Sequence, residues 1–360
     1  MAVVTAGSRY REIEVYGTPR EMGRQLGETA REEIRGFTDV AIERVNKTVS
    51  ISREHALATA SACIPYAADY APELLAELRG TAESSGVSLD ELMLLQVRNQ
   101  LRNQPDTDSS NEGGCTALAA HRPALVAQNW DNDPALDPYT VVLTRRPLTG
   151  PATLTVGQAG LIGYIGCGER GIGACLNTLP APSRDVGVPH YFIVRRVLEA
   201  DSLDAAIEAV RSAYRAIPAN LILTTPQGPA DFEILIDDLR VLRPDDGAAW
   251  LTHTNHCLHP ALAGVNERFP ELIESRPRKR RIDSLLEEGD GGIDVGAAKA
   301  ALRDHHDEPR SICRHANDDP RYGFWTSVLS VVIEADAGRM HVSRGNPCSN
   351  PYEEYRLLST

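Results

Sequence analysis

A polar stretch that ends in two glycines, Asp106 to Gly114, divides this sequence into two parts with different hydrophobic patterns. The stretch has no periodicity, which is typical of a loop. Residues 9–104, before it, place apolar residues mostly at helical spacing. The residues after it form short β-type runs separated by turn residues. We therefore expect a mainly helical front part and a strand-rich remainder, joined at this loop.

The front part begins with a short alternating strand, Tyr10 to Gly17. Thr18, Pro19 and Glu21 then form a capping box with proline at the first helical position. A helix is predicted from there toward Phe37, and three more are predicted before residue 104.

The remainder is predicted to alternate between hairpins and helices. Strands are predicted at 116–119, 124–129, 139–145, 152–156, 162–166, 168–177, 220–224, 231–236, 250–254, 326–334, 340–343 and 355–358. Helices are predicted at 190–200, 202–214, 261–286 and 295–304. Strands that cluster in hairpins with helices around them indicate an α+β layered fold and not a parallel βαβ sheet.

The composition excludes several classes of protein. Apolar residues make up 42% of the chain, which is enough for a sizeable core, and the formal net charge is −13, which disfavours binding to nucleic acid or anionic membranes. The one basic cluster, Arg276 to Arg281, is interpreted as a solvated helix face.

Seven cysteines are scattered over 360 residues, an odd number in a chain that is not small, so a disulfide framework is not expected. The first residues do not have the pattern of a signal peptide, and no apolar run is long enough to span a membrane. These features favour a cytoplasmic protein without a membrane partner.

Cys115 is the main candidate for chemistry. It follows Gly114, and a strand-like run ending in Asp131 comes after it. If the Gly114–Cys115 bond is cut, the new α-amine, with an ordinary pKa near 8, lies within reach of the thiol and can act as its base. The thiol can cut that bond itself by attacking the Gly114 carbonyl, and a glycine there accepts unusual backbone angles. The alternative is an inert buried cysteine on a strand.

Four segments occur in order along the chain and carry a family resemblance: Asn111 to Thr116, Gln128 to Asp131, Thr252 to His256, and Ser311 to Arg314. Together they resemble the acyl-coenzyme A:6-aminopenicillanic acid acyltransferase (isopenicillin N acyltransferase) family of N-terminal nucleophile hydrolases. The resemblance extends over nearly the whole chain. It implies a four-layer αββα sandwich in which residues 1–114 form the α-subunit after autocleavage and residues 115–360 the β-subunit, both within one domain.

The resemblance also implies the site residues. Cys115 matches the nucleophile, Gly114–Cys115 the autocleavage bond, and Asp131 an active-site aspartate. Asn255 matches the oxyanion-hole residue, whose amide N–H would donate to the tetrahedral intermediate. For the family's active-site arginine the candidate is Arg321, and Arg314 is its rival.

Other clusters of potential metal ligands and catalytic residues have weaker patterns. His253, His256, Cys257 and His259 have the density of metal ligands but not the usual paired spacing. The cluster of His305 and His306 with its acidic neighbours is interpreted as a helix end running into a loop. A papain-like cysteine would need a helix beginning at Cys115. The glycine-dense stretch 157–173 has no nucleotide-binding pattern. No metal or cofactor is expected, apart from acyl-CoA as a conceivable co-substrate.

The resulting expectation is an autoproteolytic amide hydrolase or acyltransferase that passes an acyl group from a Cys115 thioester to water or to an amine. Its partners would be a small amide or acyl donor and its own cleaved front fragment, and oligomers are not excluded. A protein that keeps the fold as a scaffold, or that processes only itself, stays open as the alternative.

Overall fold

The structure is a computed structural model that describes residues 8–46, 50–101, 114–245, 248–269, 275–289, 292–319 and 323–357. The predicted loop from Asp106 lies outside these residues as far as position 113, and so does Arg321.

Within the described residues, the front part contributes one strand and five α-helices. They are β1 (Arg11–Gly17), α1 (Pro19–Thr29), α2 (Arg31–Val45), α3 (Arg53–Tyr70), α4 (Pro72–Ser85) and α5 (Leu89–Val97). The predicted capping box is present, because Thr18 and Glu21 each accept a hydrogen bond from the other's backbone N–H. The single helix predicted toward Phe37 was wrong: α1 is capped at Ala30 and α2 begins after it.

The strands and helices after Gly114 continue in chain order. The strands are β2 (Cys115–His121), β3 (Ala124–Asn132), β4 (Thr140–Pro147), β5 (Thr153–Gln158), β6 (Ile165–Gly168), β7 (Gly173–Thr178), β8 (Ala219–Thr224), β9 (Ala230–Ile234), β10 (Leu239–Leu242), β11 (Trp250–His253), β12 (Thr326–Glu334), β13 (Arg339–Arg344) and β14 (Tyr352–Arg356). The helices are α6 (His190–Glu199), α7 (Leu203–Arg211), α8 (Ala263–Arg268), α9 (Ser275–Glu287) and α10 (Val295–Leu302). The helix predicted at 261–286 is therefore two helices, and the separate strand β10 was missed.

The strands form two sheets. The larger has the order β1-β4-β5-β6-β7-β8-β9-β10, and the smaller has the order β11-β2-β3-β12-β13-β14. Only the pair of β1 with β4 is parallel among the strand pairs of the described residues. Because β1 belongs to the front part, the front part both completes the larger sheet and covers it with helices.

The two sheets pack face to face, and helices cover their outer faces. On β2, Ala117 and Ala119 face the larger sheet within one apolar core, while Leu118 faces the other way toward Ile282 of α9 and Leu302 of α10. This alternation follows from the two-residue period of a strand. Helices α1, α2 and α6 contact the larger sheet. The predicted α+β fold with four αββα layers is confirmed.

No helix within the described ranges is both long and apolar enough to cross a membrane.

Candidate active site

Cys115 is the first residue of β2 and is buried at the inner end of the strand. It lies opposite Trp130 of β3 in the antiparallel register. One residue earlier, the carbonyl of Gly114 accepts a 2.8 Å hydrogen bond from the backbone N–H of Asp131. Strand pairing therefore holds the Gly114–Cys115 bond beside Asp131.

Asp131 is fully buried near the end of β3. Its Oδ1 atom accepts a 2.6 Å hydrogen bond from the Ser327 hydroxyl of β12. Burial raises the pKa of this carboxyl to about 6, although the nearby charges of Arg278 and Arg314 and the Ser327 bond act in the opposite direction. Oδ2 has no hydrogen-bond partner within the described part of the chain, which leaves it able to accept one more donor.

Asn255 follows β11 and is also fully buried. Its Oδ1 atom accepts a 2.9 Å hydrogen bond from the backbone N–H of Cys115, and its Nδ2 atom donates one of 2.9 Å to the carbonyl of Thr178. The Ser275 hydroxyl accepts a 2.6 Å bond from the Asn255 backbone N–H. The Asn255 side chain thus holds the backbone nitrogen of Cys115, and one of its two amide N–H groups is already used.

Arg278 completes the site, and the sequence analysis missed it. The side chain is fully buried, and its Nη1 atom donates to the carbonyl of Cys115 at 2.5 Å and to Oγ1 of Thr116 at 2.9 Å. Its Nη2 atom donates to Oδ1 of Asn255 at 2.9 Å. The interpretation of Arg276 to Arg281 as a solvated face was therefore wrong for this residue. Arg278 lies four residues before the buried Ile282, and that spacing would have placed it on the inner face of α9.

Of the two predicted arginines, Arg314 is the one that the structure describes. Its backbone N–H donates to the Ser327 hydroxyl at 3.0 Å, and its carbonyl accepts a 2.9 Å bond from the Ser327 N–H. Its charge lowers the pKa of Asp131, so Arg314 belongs to the outer part of the site. Arg321 lies outside the described residues.

The Cys115 thiol is held in its protonated form. Burial raises its pKa to about 12 and the charge of Asp131 adds to this effect, while Arg278 opposes it. A thiol with such a pKa is a poor nucleophile at neutral pH unless a base removes its proton in the reaction.

A cavity of about 120 Å³ opens beside Cys115. Its walls combine residues of the front part with residues of both sheets and are mixed in character. The aromatic side chains are Phe37, Trp130, Tyr164, Tyr191, Phe324 and Trp325, and the polar ones include Asn99, Asn132, Asp133, Asn177 and Thr178. Arg98 and His190 add polar groups, and burial together with the charge of Arg98 lowers the pKa of His190 to about 4, so its imidazole is neutral at pH 7. No sequence pattern marked these pocket residues.

The sequence matches the family model described as acyl-coenzyme A:6-aminopenicillanic acid acyl-transferase over residues 119–348. It is 25% identical over 346 residues to the 40 kDa form of acyl-coenzyme A:6-aminopenicillanic-acid-acyltransferase from Emericella nidulans, covering 94% of this chain and 93% of that protein.

Two solved structures are more distant. The C2A mutant of conjugated bile acid hydrolase from Clostridium perfringens has 13% identity and a TM-score of 0.44, covering 69% of this chain and 98% of the other. Penicillin V acylase from Agrobacterium tumefaciens has 11% identity and a TM-score of 0.40, covering 64% and 74%. The family match spans well over half of the chain, and the chain belongs to the acyl-coenzyme A:6-aminopenicillanic acid acyltransferase family.

Proposed function

We propose that this protein cuts its own chain between Gly114 and Cys115 and then transfers acyl groups through a thioester on Cys115. The observation that carries the proposal is the hydrogen bonding on both sides of that bond. The Gly114 carbonyl receives the N–H of Asp131, and the Cys115 nitrogen donates to Asn255. These contacts hold the carbonyl and the leaving nitrogen in fixed positions beside the thiol.

Self-cleavage proceeds by attack of the Cys115 sulfur on the Gly114 carbonyl carbon. The negative charge that develops on the carbonyl oxygen is stabilised by the N–H of Asp131, which already lies 2.8 Å away. The thiol proton passes to the leaving nitrogen, the C–N bond breaks, and Gly114 remains attached to Cys115 as a thioester. Water then hydrolyses the thioester, which releases the Gly114 carboxylate and regenerates the thiol.

The new α-amine replaces a peptide nitrogen at the same place. Oδ1 of Asn255 already accepts from this nitrogen, and the unpartnered Oδ2 of Asp131 is available for an additional N–H of the α-ammonium. With an ordinary pKa near 8, the amine can take the thiol proton at neutral pH, which overcomes the raised pKa of Cys115. The sulfur then attacks the acyl carbon of an amide or thioester substrate, and the protonated amine or thiol leaves.

The second amide N–H of Asn255 is proposed as a donor to the oxyanion of that step. The acyl group would lie in the cavity beside Cys115, where the aromatic side chains can pack against an aromatic or apolar acyl chain and the polar side chains can orient it. The acyl-enzyme then reacts with water or with an amine. An acyl-CoA, as in the name of the Emericella nidulans relative, is one donor of the required chemistry.

Intact-mass spectrometry under denaturing conditions tests the first step. The expected result is two fragments that divide between Gly114 and Cys115. Cys115→Ala should give one uncut mass, while Cys167→Ala, which removes another buried cysteine, should be cut like the unaltered chain. Cleavage that persists in Cys115→Ala would contradict the assignment of the nucleophile.

Incubation of the cut protein with phenylacetyl-CoA, followed by rapid acid quench, tests the second step. A mass increase of one acyl group on the fragment that begins with Cys115 is expected, and it should decay faster when an amine is added. Clean cleavage without any acyl adduct from thioester or amide donors would favour a protein that processes only itself. A single uncut chain with an unreactive thiol would favour the non-catalytic scaffold.

A further inference from the structure

Two loops at one end of the paired strands β12 and β13 bring two histidines and two cysteines together. His305, Cys313 and His315 come from the connection between α10 and β12, and Cys348 comes from the turn after β13. The Nε2 atoms of the two histidines are 3.0 Å apart, and Nε2 of His315 lies 3.8 Å from Sγ of Cys313 and 3.4 Å from Sγ of Cys348. All four donor atoms lie within 4.8 Å of one another.

We infer that His305, Cys313, His315 and Cys348 bind one Zn²⁺ ion. Zinc takes imidazole nitrogen at about 2.0–2.1 Å and thiolate sulfur at about 2.3 Å in a tetrahedron. Such a tetrahedron separates neighbouring donors by roughly 3.3–3.8 Å. The three measured separations lie within or close to that range, so an ion fits at the centre with only small side-chain movements.

The donor set selects the kind of metal. Two sulfur and two nitrogen ligands in a tetrahedron suit Zn²⁺, whereas Mg²⁺ and Ca²⁺ require oxygen ligands. Because protein atoms fill all four positions, the site is closed and structural, with no position left for a substrate or an activated water. The sequence analysis expected no metal. It missed this group because Cys348 lies more than thirty residues from His315, so the spacing along the chain did not connect them.

The surroundings of Cys313 suit a metal-bound thiolate. Cys313 is buried, and the Nδ2 atom of Asn346 lies 3.5 Å from its Sγ while also donating to the carbonyl of Arg314 at 2.7 Å. N–H donors to sulfur of this kind orient metal-bound cysteines. Cys348 is exposed, so an ion can enter from solvent.

The cluster also borders the active site. Arg314 directly follows Cys313, and its backbone N–H holds the Ser327 hydroxyl that donates to Asp131. A bound ion would fix the loop that carries Arg314 relative to the turn at Cys348. The site is therefore proposed to stabilise the outer wall of the catalytic centre without taking part in the chemistry.

A second group of potential ligands, Asp231, Glu233 and His253, makes a useful contrast. Nε2 of His253 lies 3.1 Å from Glu233, the Asn220 amide donates to Asp231 at 2.6 Å, and all three residues are buried. Burial works against protonation of His253, but the two carboxylates raise its pKa, so charges within the group already compensate one another. We assign no metal to it.

The test uses the full-length protein without an affinity tag of histidines. Elemental analysis after purification, and titration of the chelator-treated protein with Zn²⁺, should both give one ion per chain. Co²⁺ in place of zinc should show the visible bands of a tetrahedral ion and a thiolate charge-transfer band. Cys348→Ser and His305→Ala should each weaken binding by about 100-fold or more, whereas His306→Ala, an adjacent exposed histidine, should leave it unchanged.

Several results would overturn the inference. They are a chain that binds no zinc with the thiols reduced, zinc binding that is equal in Cys348→Ser and the unaltered protein, and cobalt spectra without a thiolate band. Binding that is lost in Asp231→Asn but kept in Cys348→Ser would place the ion at the other group.

Discussion

The Nη2 atom of Arg278 lies 2.9 Å from Oδ1 of Asn255, and the same oxygen accepts the N–H of Cys115. One amide oxygen therefore receives two donors, one from helix α9 and one from the first residue of β2. Because Nη1 of Arg278 also donates to the Cys115 carbonyl, the guanidinium fixes both Cys115, at the proposed cleavage site, and Asn255, which holds its nitrogen. Arg278 is a positioning residue for the proposed nucleophile.

Replacement of Arg278 by glutamine should slow self-cleavage and destabilise the protein. The shorter neutral side chain cannot reach all three buried acceptors, and each buried acceptor left without a donor costs about 1–3 kcal/mol. We expect cleavage, followed by mass spectrometry over time, to slow by at least about tenfold. Arg280→Gln, an exposed position on the same helix, is the control and should behave as the unaltered chain. Equal cleavage rates in the two variants would remove Arg278 from the site.

Replacement of Asn255 by alanine should lower turnover of the cut enzyme by about 100-fold or more, because an oxyanion donor contributes on that scale. The KM should change much less than kcat, since the contact strengthens in the transition state. Asn266→Ala is a suitable control. The Asn266 side-chain amide also makes hydrogen bonds with a backbone, that of Cys257, but it does not contact Cys115. A large rise of KM at constant kcat in Asn255→Ala would instead indicate a role in substrate binding alone.

Gly114→Ala should block or slow self-cleavage for a steric reason. A Cβ atom at position 114 would lie 2.6 Å from Oδ2 of Asp131, closer than such atoms approach in proteins. The added methyl group must displace either the carboxylate or the scissile carbonyl, so we expect an uncut or slowly cut chain by mass spectrometry. Gly264→Ala meets no atom within 4 Å and should be cut normally. Normal cleavage of Gly114→Ala would show that the carboxylate can move aside.

Much of this site could be predicted from the sequence because its members stand next to strong local patterns. Cys115 follows a glycine pair and Asp131 ends a strand-like run, so both could be proposed from local patterns, and strand pairing brings them together. Glycine at position 114 was expected because it accepts unusual backbone angles, and that stays a prediction. The structure adds a second reason, because a Cβ atom there would lie 2.6 Å from Oδ2 of Asp131.

The remaining parts depended on contacts between distant segments. Arg278 is one of five basic residues in a row of six, and composition alone suggested a solvated surface; only its register with Ile282 distinguishes it. The cavity beside Cys115 is lined by helix α2 and by both sheets. Cys348 contacts His315 because the turn after β13 brings it close. Local periodicity carries no information on such long-range neighbours.

Asp131→Asn should make the uncut protein more stable at neutral pH and less active. In the unfolded chain an aspartate has a pKa of about 3.9, and burial raises that of Asp131 to about 6 in the fold. The folded state therefore binds the proton more tightly, and stability falls as pH rises from about 4 to about 6 and stays lower above that range. The two pKa values correspond to about 3 kcal/mol, which is the upper limit of the gain.

Urea unfolding checks this prediction in a Cys115→Ala background, where no new α-ammonium forms beside the carboxylate. The gain from Asp131→Asn should be present at about pH 8 and absent at about pH 4. Asp336→Asn changes an exposed carboxylate and should give no such difference. A loss of stability at pH 8 would mean that the carboxylate is better compensated by Arg278 and Arg314 than its raised pKa indicates.

After cleavage the front fragment is expected to stay bound to the rest of the protein. A substitution at Glu77 tests whether buried ion pairs hold the two fragments together. Glu77 lies on α4 of the front part, and its carboxylate contacts Arg145 of β4 at 2.6 Å and Arg195 of α6 at 3.5 Å, all fully buried. After cleavage this ion cluster would link the two fragments without a covalent bond. Glu77→Gln leaves two buried guanidinium groups without their shared carboxylate, which should cost about 3–5 kcal/mol.

Glu83→Gln on the same helix is the matched control. Glu83 pairs with Arg20 and Arg24 at the surface, where solvent and salt screen such bridges and they contribute little to stability. Native mass spectrometry of cut protein in increasing urea should show the two fragments separating at a clearly lower concentration in Glu77→Gln than in Glu83→Gln. If both variants separate together with the unaltered protein, the fragments are held by apolar burial between α1, α4 and the larger sheet, and the buried ion cluster contributes little.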